Sequence, residues 1–261
     1  MLPLRETFNT AAERYHRARP GYPEELFDDL VQLASLNTES RLLEIGPGTG
    51  IATEPLARRG FNIRGIELGE ALAREARENL AAYPDVQVEL GRFEDIPLPS
   101  DTFDLVYSAT AFHWIEQPVG YQRVADMLKS GGRFAEFRHH HVWTPESAEF
   151  IRESQKVYLK HDPNASPGFR LPLADEVDTL ETSISESGLF DSPVIRRFTM
   201  NVEYTPETFA DLLLTFSNHI ALPEPNRSLL IDGLADVIRR LPGERLLKTY
   251  LVILHVARVR K

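Results

Sequence analysis

Arg41-Leu42-Leu43-Glu44-Ile45-Gly46-Pro47-Gly48-Thr49-Gly50 sets a short apolar run against three glycines spaced two apart. A helix-like stretch, Ile51 to Arg59, follows at once. Strand, glycine turn and helix in that order make a nucleotide-binding βα unit. Glycine reaches positive φ and lets a ligand approach the backbone, because no Cβ stands in the way. An acid about 20 residues on, at the end of the next strand, closes such a site. Glu67 stands there, at the end of the strand-like Phe61-Asn62-Ile63-Arg64-Gly65-Ile66.

The spacing departs from the dinucleotide fingerprint Gly-x-Gly-x-x-Gly, whose third glycine packs helix against strand. Gly46, Gly48 and Gly50 give Gly-x-Gly-x-Gly, and Ile51 holds the fingerprint's last position. Glu44 lies inside the strand, where burial of an acid demands partners. The turn's backbone amides or a cationic ligand group are the partners expected for it.

Working outward, strands are expected at 41–46, 61–67, 86–91, 103–108 and 132–140, and helices at 22–36, 50–59, 69–82 and 119–130. In 22–36, Leu26, Phe27, Leu30, Val31 and Ala34 recur at helical spacing. Alternating strands and helices imply a parallel sheet covered on both faces, with right-handed crossovers. The strand carboxyl ends then share one rim, where ligands bind. Further on, 145–160 reads as a helix, 161–172 as a loop rich in Pro, Asn, Ser and Gly, and 175–187 as a helix. Helices at 206–220 and 226–240 lie between strand-like segments at 192–203 and 247–259.

Composition limits the function classes. The chain has 261 residues, no cysteine and a net charge of −10 with scattered basic residues. Phosphate contacts dominate nucleic-acid affinity, so this balance speaks against DNA or RNA. No apolar run reaches transmembrane length, and Met1 to Thr7 lack a basic segment followed by an apolar core. Without cysteine there are no disulfides, thiolate nucleophiles or zinc-thiolate sites. The expectation is a cytoplasmic protein without nucleic-acid or membrane partners, as a monomer or homodimer.

Leu42 to Gly50 resembles the first motif of the class I S-adenosylmethionine-dependent methyltransferases. Val88 to Pro97 resembles the family's adenine segment, Phe103 to Ser108 its fourth strand, and Leu128 to Phe134 the turn into its fifth. The leader Ala11 to Pro23 is similar to that of the small-molecule branch, which includes trans-aconitate methyltransferase-like proteins. The resemblance implies a small-molecule substrate and an α/β fold: a Rossmann-like, doubly wound, mostly parallel seven-stranded sheet. A C-terminal antiparallel hairpin and inserted helices forming a substrate cap complete it. It implies one methyltransferase domain over 1–261, with a helical leader (1–36), a cofactor-binding core (37–141) and a C-terminal part carrying the cap (142–261).

S-adenosylmethionine is the implied cofactor. Gly46, Gly48 and Gly50 would approach its amino-acid end, with Glu44 behind them. Glu67, with Leu68 beside it, would accept from the ribose hydroxyls. Phe93 and Glu94 would meet the adenine; Arg92 replaces the Asp common there and reads as solvated. Ser108 and Ala109 would border the sulfonium. Tyr15, Arg19 and Tyr22 stand at leader positions over the cofactor, Tyr15 toward its carboxylate end and Arg19 toward an acid or that carboxylate. His113 is the candidate general base, since its reference pKa lies near neutrality; a pocket-shaping role is the alternative. Trp114 reads as a pocket wall and Arg138 as a contact for an anionic substrate. Adjacent strand residues face opposite ways, so only His139 and His141 of the triplet 139–141 share a side, and no metal site is expected. A nicotinamide-dependent oxidoreductase and a non-catalytic cofactor-binding protein are the alternative readings; the glycine spacing and the absence of a Tyr-x-x-x-Lys pattern near the fifth strand oppose the first.

Overall fold

The computed structural model of the chain describes residues 12–179 and 181–261. The leader positions before Ala12 lie outside the described residues. Seven strands form one sheet: β1 (Arg41–Ile45), β2 (Asn62–Glu67), β3 (Val86–Leu90), β4 (Phe103–Ala109), β5 (Leu128–His141), β6 (Val194–Tyr204) and β7 (Leu246–Arg258). Their order is β3-β2-β1-β4-β5-β7-β6. β1 pairs in parallel with β2 and β4, β2 with β3, and β4 with β5, while the C-terminal strands run antiparallel. Leu42, Leu43, Glu44 and Ile45 are all buried, as in a parallel strand covered on both faces.

The helices are α1 (Ala12–Ala18), α2 (Glu24–Leu33), α3 (Thr53–Arg58), α4 (Glu70–Asn79), α5 (Val119–Met127), α6 (Ala148–His161), α7 (Glu181–Glu186), α8 (Pro206–Leu213), α9 (Ser217–Ile220) and α10 (Asn226–Arg239). None of the described helices is long and apolar enough to cross a membrane.

The chain divides into two compact units. The first comprises Gly21–His139, Asp178–Phe198 and Val252–Lys261. Leu43, Ile45, Val106, Phe112, Val124, Phe134 and Phe190 belong to its main core. The second comprises, among the described residues, 12–20, His140–Val177 and Thr199–Leu251. Its core gathers Phe150, Phe209, Leu212, Leu230, Leu234, Ile238 and Tyr250. Of the 1–36 leader, the described residues 12–20 fall in the second unit and 21–36 in the first.

Several boundaries differ from the sequence expectation. The helix expected at 50–59 starts at Thr53, because Gly50 sits at φ +91°, outside helical backbone. The helix expected at 119–130 stops at Met127; Leu128 turns extended and pairs with Phe103, so β5 starts four residues before 132. The helix expected at 206–220 breaks into α8 and α9. The Thr215 hydroxyl donates to the Leu212 carbonyl (2.6 Å), and the Arg19 guanidinium takes the Thr215 carbonyl (3.0 Å). Side-chain bonding of this kind competes with the helical ladder. The 145–160 segment opens with a 3₁₀ turn at Pro145–Ser147 before α6, and 175–187 yields a 3₁₀ turn at Ala174–Glu176 and then α7.

Candidate active site

The glycine turn leaves β1 with three positive φ angles: +69° at Gly46, +61° at Gly48 and +91° at Gly50. A Cβ on Gly46 would lie 2.6 Å from Ala111 Cβ, so only glycine fits. The Gly46 amide donates to the Ile66 carbonyl (2.9 Å) and the Gly50 amide to the Pro47 carbonyl (2.9 Å). The turn thus closes on itself and on β2.

Glu67, buried at the end of β2, accepts from the Gly48 amide with one oxygen (2.9 Å) and from the Gly69 amide with the other (2.8 Å). Burial raises its pKa, and the Gly69, Gly48 and Leu68 amides oppose that rise. This acid therefore braces the turn as well as ending the strand.

Glu44 is fully buried. Its partners are the hydroxyls of Thr53 (2.6 Å) and Tyr107 (2.7 Å), both donating to Oε2, rather than the turn amides expected from sequence. The β1–β4 register sets Glu44 level with Tyr107. Burial pushes the Glu44 carboxyl up to about 7, with the two hydroxyls lowering it and the Glu67 charge raising it. Oε1 is buried and has no hydrogen-bond partner. Neither Thr53 nor Tyr107 stood out in the sequence; the alignment of 44 with 107 is visible only once β1 is paired with β4.

The Phe93 side chain is buried in the main core of its unit, with the Arg123 guanidinium over its ring (5.4 Å). Its ring thus packs in that core. Arg92 pairs with Asp95 (3.2 Å) and approaches Glu94 (3.8 Å), whose side chain is nearly buried. The Ser108 hydroxyl donates to the Ile45 carbonyl (2.9 Å), tying β4 to β1. Ala109 ends β4.

Past β4, Phe112–Trp114 form a 3₁₀ turn. His113 is exposed, with the Trp114 ring 4.8 Å away. Desolvation by its surroundings lowers its pKa and the Arg138 charge lowers it further, so the imidazole is neutral at neutral pH. The Arg138 Nε is buried without an acceptor. Tyr22 stacks on His139 (4.3 Å), and the Tyr22 hydroxyl shares a hydrogen bond with the Thr110 hydroxyl (2.9 Å).

Tyr15 and Arg19 belong to the other unit. There Arg19 lies over the rings of Tyr15 (4.9 Å) and Phe216 (4.3 Å) and donates to Thr215 Oγ1 (2.9 Å). Its guanidinium thus meets hydroxyl, carbonyl and aromatic faces. His141 also lies in that unit, near Tyr250 (5.3 Å), while His139 accompanies Tyr22 in the first. Among the described residues no three His, Asp or Glu side chains gather as metal ligands.

The residues that meet in the first unit suit S-adenosylmethionine. The glycine turn holds three positive φ angles that side chains rarely adopt, and the Glu44 Oε1 is an orphaned buried acceptor. A methyltransferase domain family matches residues 43–135. An uncharacterized methyltransferase of Mycobacterium tuberculosis is 35% identical over 239 residues, covering 91% of this chain and 87% of that protein. Among solved structures, a candidate type II methyltransferase of Anaeromyxobacter dehalogenans superposes with a TM-score of 0.64 at 21% identity, over 92% of this chain and 97% of that one. Phosphoethanolamine N-methyltransferase 2 of Haemonchus contortus, solved with phosphomonomethylethanolamine and S-adenosylhomocysteine, gives 0.56 at 16% identity, over 100% of this chain and 61% of that one. With the glycine turn at its centre and a relative of this similarity along nearly its whole length, the chain belongs to the class I S-adenosylmethionine-dependent methyltransferases.

Proposed function

We propose that the protein methylates a small-molecule acceptor, and that the first unit carries the cofactor site. The observation behind this is the glycine turn, with its three glycines at positive φ, braced by Glu67 through Gly48. Gly46, Gly48 and Gly50 let the backbone meet the amino-acid end of the cofactor, and the Glu44 Oε1 is an acceptor for its ammonium group. Glu67 and Leu68 serve the ribose, the Phe93 amide and Glu94 the adenine, and Ser108 and Ala109 the methyl side. When bound, S-adenosylmethionine supplies an electrophilic methyl carbon on a sulfonium whose leaving group departs neutral.

The protein's own task is then alignment and exclusion of water. His113, neutral at neutral pH, takes a proton where the acceptor must lose one. A net charge of −10 with dispersed basic residues favours a small acceptor over nucleic acid. Membership of the trans-aconitate methyltransferase-like branch is supported by the leader residues up to Pro23, and the lack of cysteine fits a reducing cytoplasm.

Calorimetric titration with S-adenosylhomocysteine tests the cofactor assignment. Wild type is expected to bind, and Glu67→Ala to bind more weakly by about 1.5–3 kcal/mol, the scale of a lost hydrogen bond to a charged group. Absence of binding by wild type would overturn the proposal.

A further inference from the structure

Thr110, the first residue after β4, has φ +55°. A β-branched residue in the left-handed region is sterically disfavoured, and such strain persists only where surrounding contacts fix it. Glycine or asparagine would take this backbone more easily. The choice of threonine therefore points to its hydroxyl. That hydroxyl meets the Tyr22 hydroxyl at 2.9 Å, while the Thr110 amide donates to the Phe137 carbonyl at 2.8 Å.

Tyr22 is itself well fixed. Its ring stacks on His139 (4.3 Å) and meets Phe137 edge-on (4.9 Å), and the His139 Nε2 donates to the Gly21 carbonyl (2.9 Å). The turn at Thr110 brings Ala111 so close to Gly46 that any Cβ on Gly46 would collide with it. It then leads into the 3₁₀ turn that presents His113. One strained residue thus sets the loop against the first glycine of the cofactor turn and orients the candidate base.

We propose that the hydroxyl pair of Tyr22 and Thr110 is a latch that seats residues 110–114 on the glycine turn, making both of them positioning residues for His113. The proposal rests on the reading of that turn as the cofactor site. The latch couples the two sides of the reaction: the loop that presents the acceptor side is in register only while it rests on the cofactor side. Threonine at 110 supplies the hydroxyl and accepts the strain.

Hydrogen exchange tests this without an acceptor or a bound cofactor. The amides of Trp114 and Ile115 donate to Ala111 and Phe112 (3.0 Å each) and report whether the loop is seated. In Tyr22→Phe and in Thr110→Val their exchange is expected to accelerate on the order of five- to tenfold, as for one lost neutral hydrogen bond. The amide of Ile45 in β1 serves as the internal reference and should not change. Thr110→Ser, which keeps the hydroxyl, should restore slow exchange, and Tyr22→Phe combined with Thr110→Val should be no faster than either alone. Unchanged exchange in both single variants, Thr110→Ser behaving as Thr110→Val, or additive effects would each overturn the latch. Failure to bind S-adenosylhomocysteine would instead remove the cofactor reading while leaving the exchange result intact.

Discussion

Replacing Glu44 by Gln should make the protein's stability less sensitive to pH in a defined window. The Glu44 carboxyl is raised from 4.5 to about 7, chiefly by burial. A folded pKa above the unfolded one means that the fold binds the proton more tightly. The stabilisation this provides is fully present below 4.5 and is lost as pH rises toward about 7. Each pH unit within that window removes about 1.4 kcal/mol, so the full loss is about 3 kcal/mol. Gln keeps an oxygen to accept from Thr53 and Tyr107 but cannot ionise. Urea unfolding of wild type and Glu44→Gln at pH 4.5, 6 and 8 reads the difference directly. The stability of Glu44→Gln relative to wild type should climb by about 3 kcal/mol across the series, most of it before pH 7. A flat difference, or one that favours wild type at high pH, would show that Glu44 is ionised in the fold at no cost and would refute the burial argument.

Two further outcomes are expected from substitution. Gly46→Ala must strain a φ of +69° and place a methyl 2.6 Å from Ala111; the combined destabilisation should be about 2–5 kcal/mol by urea unfolding, with S-adenosylhomocysteine affinity falling as well. His255 has its pKa lowered to about 4, mainly by burial, so its contribution is present above 6.5 and lost as pH falls toward 4. Wild type should accordingly lose about 3 kcal/mol relative to His255→Gln between pH 7 and 4, and a constant difference in denaturant midpoint over that range would contradict it.

The cofactor half of the fold is legible in the sequence because its signals are local. Apolar runs bounded by glycine give β1 and β2, and the spacing of Gly46, Gly48, Gly50 and Glu67 gives the turn and its acid. What escapes sequence reading depends on partners far along the chain. Thr53 and Tyr107 are nine and 63 residues from Glu44, and nothing in either marks it as the carboxylate's donor. At the break between α8 and α9 the Thr215 carbonyl accepts from Arg19, 196 residues away. The packing of Phe93 into the core is likewise invisible in the sequence, since its neighbours there come from distant segments. Thr110 gives no warning at all, because positive φ in a threonine contradicts its own propensity.

The two amides held by Glu67 carry a consequence for how the protein can change over generations. One carboxylate spans Gly48 and Gly69, residues on either side of it in the chain. A shorter acid cannot reach both without moving β2, and a side chain without an acceptor oxygen releases the turn even before any ligand arrives. Ligand preference therefore cannot drift at this position independently of loop order. The affinity lost in Glu67→Ala will contain the entropy of a loosened turn as well as the missing contact. Variation in cofactor strength has to enter through neighbours such as Leu68, whose side chain makes neither of these two bonds.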